Sequence, residues 1–207
     1  MIYSLFHFDG SNGSTDFVDS TGHIVPEIIS GTPALTTTGQ VFGSACLSIN
    51  DGCISSNIAS IPFLDSDHTV RFRFTPAVSD LSGTAFIIFL DYVTVYFYLG
   101  TLYCYIELEN DTHEITISNS LVAGTSYALS IERYGNTFYF YLDGTLIASQ
   151  AGTGNVFTSN SEAFLIGDGV NSSFALIDEL MVDIGDSYAQ GAASYTLESS
   201  QFELNTI

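Results

Sequence analysis

Apolar and polar side chains alternate with a period of two along most of this chain. From His68 to Phe74, the residues Val70, Phe72 and Phe74 fall on one side and Arg71 and Arg73 on the other. From Phe138 to Asp143, Phe138, Phe140 and Leu142 oppose Tyr139, Tyr141 and Asp143. Successive side chains of a strand point to opposite faces, so this rhythm predicts half-buried antiparallel sheet. Helical spacing is confined to one turn at Tyr188 to Ala193. Further strands are predicted near residues 3–8, 45–49, 84–90, 93–99, 102–109, 113–118, 128–134, 162–167 and 174–183.

The connections carry turn chemistry. Gly135-Asn136 is a two-residue link suited to the positive φ of a tight hairpin. Asn110 to His113 reads as another hairpin turn, Asn50-Asp51-Gly52 as a third that would pair Ile49 with Cys53, and Gly152 to Ser161 as a polar loop. So many short strands need two stacked layers, and the expected fold is all-β: a two-sheet antiparallel jelly-roll sandwich. With 207 residues and no break in composition, the expectation is a single domain over 1–207, with 184–207 a C-terminal extension.

Composition then narrows the partners. Apolar residues make up 46% of the chain, with 16 Phe and 12 Tyr, which supplies a core and excludes intrinsic disorder. The 23 acidic residues face only Arg71, Arg73 and Arg133, with no lysine and a formal net charge of -20. Nucleic acid is therefore excluded as a partner, because phosphates need a cationic patch. A folded chain of this mass exposes roughly 9,400 Å², so its net charges stand about 22 Å apart, beyond the ~8 Å screening length of physiological salt. The charge is tolerable without a special partner and would attract divalent cations at low salt.

No stretch approaches the roughly 20 apolar residues of a membrane span, so no membrane insertion is expected. The opening Met1 to Phe8 alternates and lacks a basic start, which does not suit a signal peptide. The expectation is action inside the producing cell, or exit by a route without a signal, such as host lysis. Cys46, Cys53 and Cys104 are odd in number, and are read as buried free thiols.

Candidate chemistry is sparse. Glu107, Glu109 and Asp111 alternate as paired acids do on one strand of a retaining glycoside hydrolase. The turn expected at Asn110 would take Asp111 off that strand, which favours a solvated hairpin end and no enzyme. His7, His23, His68 and His113 show no metal-ligand spacing, and no nucleophile or phosphate-loop motif is present. Tyr96, Tyr98, Tyr103, Tyr105, Tyr139 and Tyr141 recur opposite the apolar rows. A tyrosine offers a sugar an apolar ring and a hydroxyl, and the same residues suit packing or a protein interface. Tyr96, Tyr98, Tyr139 and Tyr141 are the candidate ligand-binding residues.

Seven segments resemble, in order and spacing, the laminin G-like or concanavalin A-like jelly rolls of bacterial surface and phage virion proteins. They are Leu5-Phe6-His7-Phe8-Asp9-Gly10, Phe17-Val18-Asp19-Ser20-Thr21-Gly22-His23, Val41-Phe42-Gly43-Ser44-Ala45-Cys46-Leu47, Thr69-Val70-Arg71-Phe72, Phe138-Tyr139-Phe140-Tyr141-Leu142-Asp143-Gly144, Phe164-Leu165-Ile166-Gly167 and Ile177-Asp178-Glu179-Leu180. The family's tryptophans are missing, since the chain has none, so no sugar-stacking role carries over from them.

The resemblance implies a non-enzymatic virion surface protein, a capsid decoration or tail-associated adhesion module. The alternatives are a calcium-dependent carbohydrate-binding module and, behind it, an endo-glycanase. Partners would be other virion proteins or host surface glycan, with a homo-oligomer left open, and the location the virion surface or the extracellular space. The resemblance also implies an opening strand beside the last one, with a structural Ca²⁺ at that seam near Asp9, Gly43 and Asp178. Phe174, Leu176, Leu180 and Val182 share parity with Asp178, and Ile177 and Met181 share it with Glu179, so one carboxylate should sit in an apolar row. A buried carboxylate requires a metal, an arginine or backbone donors from a neighbouring loop.

Overall fold

The computed structural model describes residues 1–56, 66–90, 92–152, 164–169 and 175–185, which form fifteen strands and no helix. In chain order they begin with β1 (Ile2–Phe6), β2 (Pro26–Ser30), β3 (Ala34–Thr36), β4 (Cys46–Ser48), β5 (Cys53–Ser56), β6 (His68–Thr75) and β7 (Thr84–Leu90). There follow β8 (Val93–Tyr98), β9 (Thr101–Leu108), β10 (Asp111–Ser118), β11 (Tyr127–Tyr134), β12 (Thr137–Leu142), β13 (Thr145–Ala151), β14 (Phe164–Ile166) and β15 (Leu176–Ile184). The helical turn expected at Tyr188 to Ala193, the extension beyond residue 185, most of the loop after Gly152, and Phe174 lie outside the described residues.

Two antiparallel sheets stack as the expected jelly-roll sandwich. Sheet A runs β13-β12-β11-β6-β15-β4-β3, with β1 also on β15; sheet B runs β10-β9-β8-β7-β14-β5-β2. Val70, Phe72, Phe74, Leu129, Ile131, Phe138 and Phe140 of sheet A are buried against Val93, Val95, Phe97, Leu102, Cys104 and Ile106 of sheet B. Phe6 meets Phe164 at 5.5 Å and Phe74 meets Phe97 at 6.0 Å between ring centroids, each pair joining the two layers. Each buried ring contributes on the order of 1.5–3 kcal/mol.

The predicted alternation holds in β6, β8, β9, β11 and β12, and Tyr134 pairs with Thr137 across the Gly135-Asn136 link, where Gly135 has φ 54°. The Asn50-Asp51-Gly52 turn differs from expectation. It is a corner, not a hairpin, for β4 belongs to sheet A and β5 to sheet B, and Ile49 has no strand pairing with Cys53. Asn50 and Asp51 both take positive φ there, and the three cysteines are buried thiols that form no disulfide with one another. The 110–113 turn also shifts: Asp111 already pairs with Leu108, so the link is Glu109-Asn110.

Four strands escaped the sequence reading. All four residues of β5 are buried, which erases any alternation. β2 and β13 are edge strands with Ile28, Ile29, Leu146 and Ile147 exposed, and β3 has only three residues.

One end of the core is polar. His68, Tyr92 and Arg133 point inward and are buried; Nε2 of His68 meets the Tyr92 hydroxyl, and the Arg133 guanidinium lies 5.3 Å from the Phe138 ring centroid. Burial pushes the His68 pKa down to about 3, opposed in part by the hydrogen bond to the Ser66 carbonyl and helped, least of the three, by the Arg133 charge. The unfolded chain therefore binds a proton that the folded chain refuses between about pH 6.5 and 3, and His68 costs stability as pH falls through that window. Urea midpoints measured from pH 7.5 to 4.5 should fall less steeply in His68→Gln than in the wild type; parallel profiles would show that His68 does not govern this slope.

Candidate functional site

Two regions collect the candidate residues. The first is the seam where β1 lies beside β15, with Leu5 opposite Met181 and Phe6 opposite Leu180. β15 carries a bulge between Asp178 and Met181, and Glu179 has φ 51°. The bulge inverts the parity, so Ile177, Leu180 and Val182 enter the core while Asp178 and Glu179 are both buried at the seam. The single carboxylate expected in an apolar row is thus replaced by two adjacent ones outside it.

The loop at 41–44 supplies donors to this seam. The amides of Val41 and Phe42 donate to Oδ2 of Asp178 at 2.8 and 3.1 Å. The Ser44 amide donates to Oδ1 of Asp9, and the Ser44 hydroxyl does so at 3.0 Å. Gly43 is required for this approach: it has φ +59°, and a Cβ there would stand 2.0 Å from Oδ1 of Asp9. The 41–44 loop therefore links Asp9, Gly43 and Asp178.

Glu179 accepts from Nδ1 of His7 at 2.9 Å, a bond that raises the His7 pKa and outweighs the opposing effect of burial. Burial raises the Asp178 pKa, the Val41 and Phe42 amides lower it, and the Glu179 and Asp9 charges add to the rise. Oδ1 of Asp178 is buried with no hydrogen bond. Two carboxylates, each with one oxygen on backbone donors, and an orphaned buried oxygen on Asp178 make a donor set that a hard cation such as Ca²⁺ would satisfy. Among the described residues no group of three or more metal-ligating side chains occurs, so backbone and water oxygens would complete the shell.

The second region is the outer face of sheet B. Register places its outward residues in rows: Thr84, Tyr98 and Thr101; then Phe86, Tyr96, Tyr103 and Thr116; then Leu165, Phe89, Thr94, Tyr105 and Glu114. Phe86 stacks on Tyr96 at 5.5 Å, Tyr96 on Tyr103 at 5.4 Å, and the Tyr96 hydroxyl donates to Glu114. Coplanar rings lying flat could not approach so closely, so these are offset stacks that turn edges and hydroxyls outward. Phe86 and Phe89 were missed because a bulge between Phe86 and Ile88 inverts the alternation, sending Ile87 and Ile88 inward and both Phe86 and Phe89 outward.

The four candidate tyrosines do not form one site. Tyr96 and Tyr98 lie on sheet B, whereas Tyr139 and Tyr141 lie on the opposite outer face, on sheet A. There Tyr141 neighbours Ser130 and Tyr139 neighbours Glu132, which is buried and bound to Arg71 at 3.0 Å. Glu107 ends no catalytic row, for its strand stops at Leu108 and Glu109 sits in the turn.

No protein-family model and no curated protein sequence matches this chain. In three dimensions it is similar to the binding domain of Paraclostridial Mosquitocidal Protein 1, with TM-score 0.67 and 15% identity, covering 88% of this chain and 48% of that one. It is similar to the Botulinum Neurotoxin serotype G binding domain, with TM-score 0.68 and 14% identity, covering 90% of this chain and 48% of that one. It is also similar to Domain 4 of AbnA, a GH43 extracellular arabinanase from Geobacillus stearothermophilus, in complex with arabinotriose, with TM-score 0.67 and 17% identity, covering 89% of this chain and 92% of that one. The chain spans about half the length of the two toxin binding domains. At these identities the likeness establishes the β-sandwich fold.

Proposed function

We propose that this chain is a non-catalytic, lectin-like module that takes glycan on the outer face of sheet B. The observation that carries the reading is the half-buried aromatic field of Phe86, Phe89, Tyr96, Tyr103 and Tyr105, with Tyr98 50% exposed, on a sheet surface facing away from the core. So much aromatic surface outside a core marks a contact face. The similar arabinanase domain holds arabinotriose and the similar toxin domains are binding domains, which supports a binding role over a catalytic one. A retaining glycanase would need two carboxyls about 5 Å apart in a cleft, whereas the acids here straddle a hairpin turn.

On a glycan array the chain should retain at least one polysaccharide. Tyr103→Ala should weaken that binding about tenfold or more, given ~1–3 kcal/mol for a lost aromatic contact, while Tyr139→Ala on the other face leaves it intact. Silence on every glycan, or loss in Tyr139→Ala alone, would contradict the assignment.

Calcium belongs to the same proposal, as a structural ion held by Asp9, Asp178 and the backbone at Gly43. Bound only to the folded state, it should raise Tm by several degrees at saturating concentration, and chelator should reverse the rise. An Asp178→Asn variant should lose the calcium response; an unchanged Tm in wild type with and without chelator would remove the ion. The virion surface, with other virion proteins as partners, is the setting we propose on the resemblance of the seven segments, and mass spectrometry of purified particles tests it.

A further inference from the structure

The glycan face is electrostatically one-sided. Arg71 and Arg73 are on β6 and Arg133 is on β11, so all three arginines of the chain belong to sheet A. The seven strands of sheet B contain no lysine or arginine, and their one histidine, His113, sits opposite Ile106, in line with the core-facing residues. Carboxylates stand at both ends of the outward rows: Glu27 follows Ser55 and Leu165 on one side, and Glu114 and Glu107 close the other, opposite Tyr105 and Thr112. Tyr96 fixes the Glu114 carboxylate beside the aromatic stack through its hydroxyl. The hydroxyls of Tyr98, Tyr103 and Tyr105 are on the same surface.

Since the stacked rings present edges rather than flat faces, a ligand would meet mainly hydroxyls and carboxylates. Sugar hydroxyls can donate to Glu107 and Glu114 and accept from the tyrosines. A uronate or sulfate would meet like charge with no cation to offset it. Resting on the glycan-binding reading, we propose that this face selects uncharged glycans and excludes acidic ones, with Glu107 and Glu114 as the excluding groups.

The test measures affinity for neutral arabinan and for polygalacturonate at about 20 mM and about 500 mM NaCl, in the wild type and in a Glu107→Gln/Glu114→Gln double variant. At low salt the wild type should favour the neutral polymer by about tenfold or more, and the preference should shrink at high salt as the screening length shortens. In the double variant the neutral-to-acidic affinity ratio at low salt should fall at least threefold. Equal affinity for both polymers, or an unchanged ratio in the variant, would overturn the proposal while leaving glycan binding in place. Binding to neither polymer, nor to any glycan on an array, would remove both.

Discussion

The parity of the pleat is the constraint on which the rest of this molecule depends. In a strand, facing is set by counting, so one inserted residue exchanges the core side for the solvent side. Two such insertions shape the surfaces that matter here. The bulge in β7 puts Ile87 and Ile88 together in the core and thereby frees Phe86 and Phe89 to extend the tyrosine rows of β8 and β9. The bulge in β15 removes Asp178 and Glu179 from the apolar row and delivers them to the 41–44 loop and His7.

Buried carboxylates follow the same economy of placement. Asp19 accepts from the amides of Leu5, Thr21 and Ile24, Glu132 from Arg71, and Asp80 from the Ala77 amide. Each is desolvated only where donors converge, as a charge in a low-dielectric interior requires. Asp178 shares that pattern through one oxygen and departs from it through the other.

The regular strands were legible because their side chains meet a core on one face and water on the other, as Val70 to Phe74 and Phe138 to Leu142 do. The gathering of Asp9, Gly43 and Asp178 was legible from resemblance, while the donors around them were not, since they are backbone amides. β5 left no trace because both its faces are buried, and β13 left little because it is an exposed edge. The split of the tyrosines between two faces was invisible for a different reason: alternation tells which residues share a side of one strand, and strand order decides which sheet that side belongs to.

Sheet A and sheet B consequently do different things with similar residues. On sheet A, Arg71, Ser130 and Glu132 lock together beside Leu5 and Met181, and Phe42 lies under Arg73, so this part of the outer face is taken up by packing. On sheet B the aromatic rows stack among themselves and leave hydroxyls to spare. The most direct measurement is a backbone amide chemical-shift titration with the neutral oligosaccharide that binds best. Perturbations should concentrate in β7 to β10, around Phe86, Tyr96, Tyr103 and Tyr105. Perturbations concentrated in β11 and β12, or in the 41–44 loop, with sheet B unmoved, would contradict a binding face on sheet B.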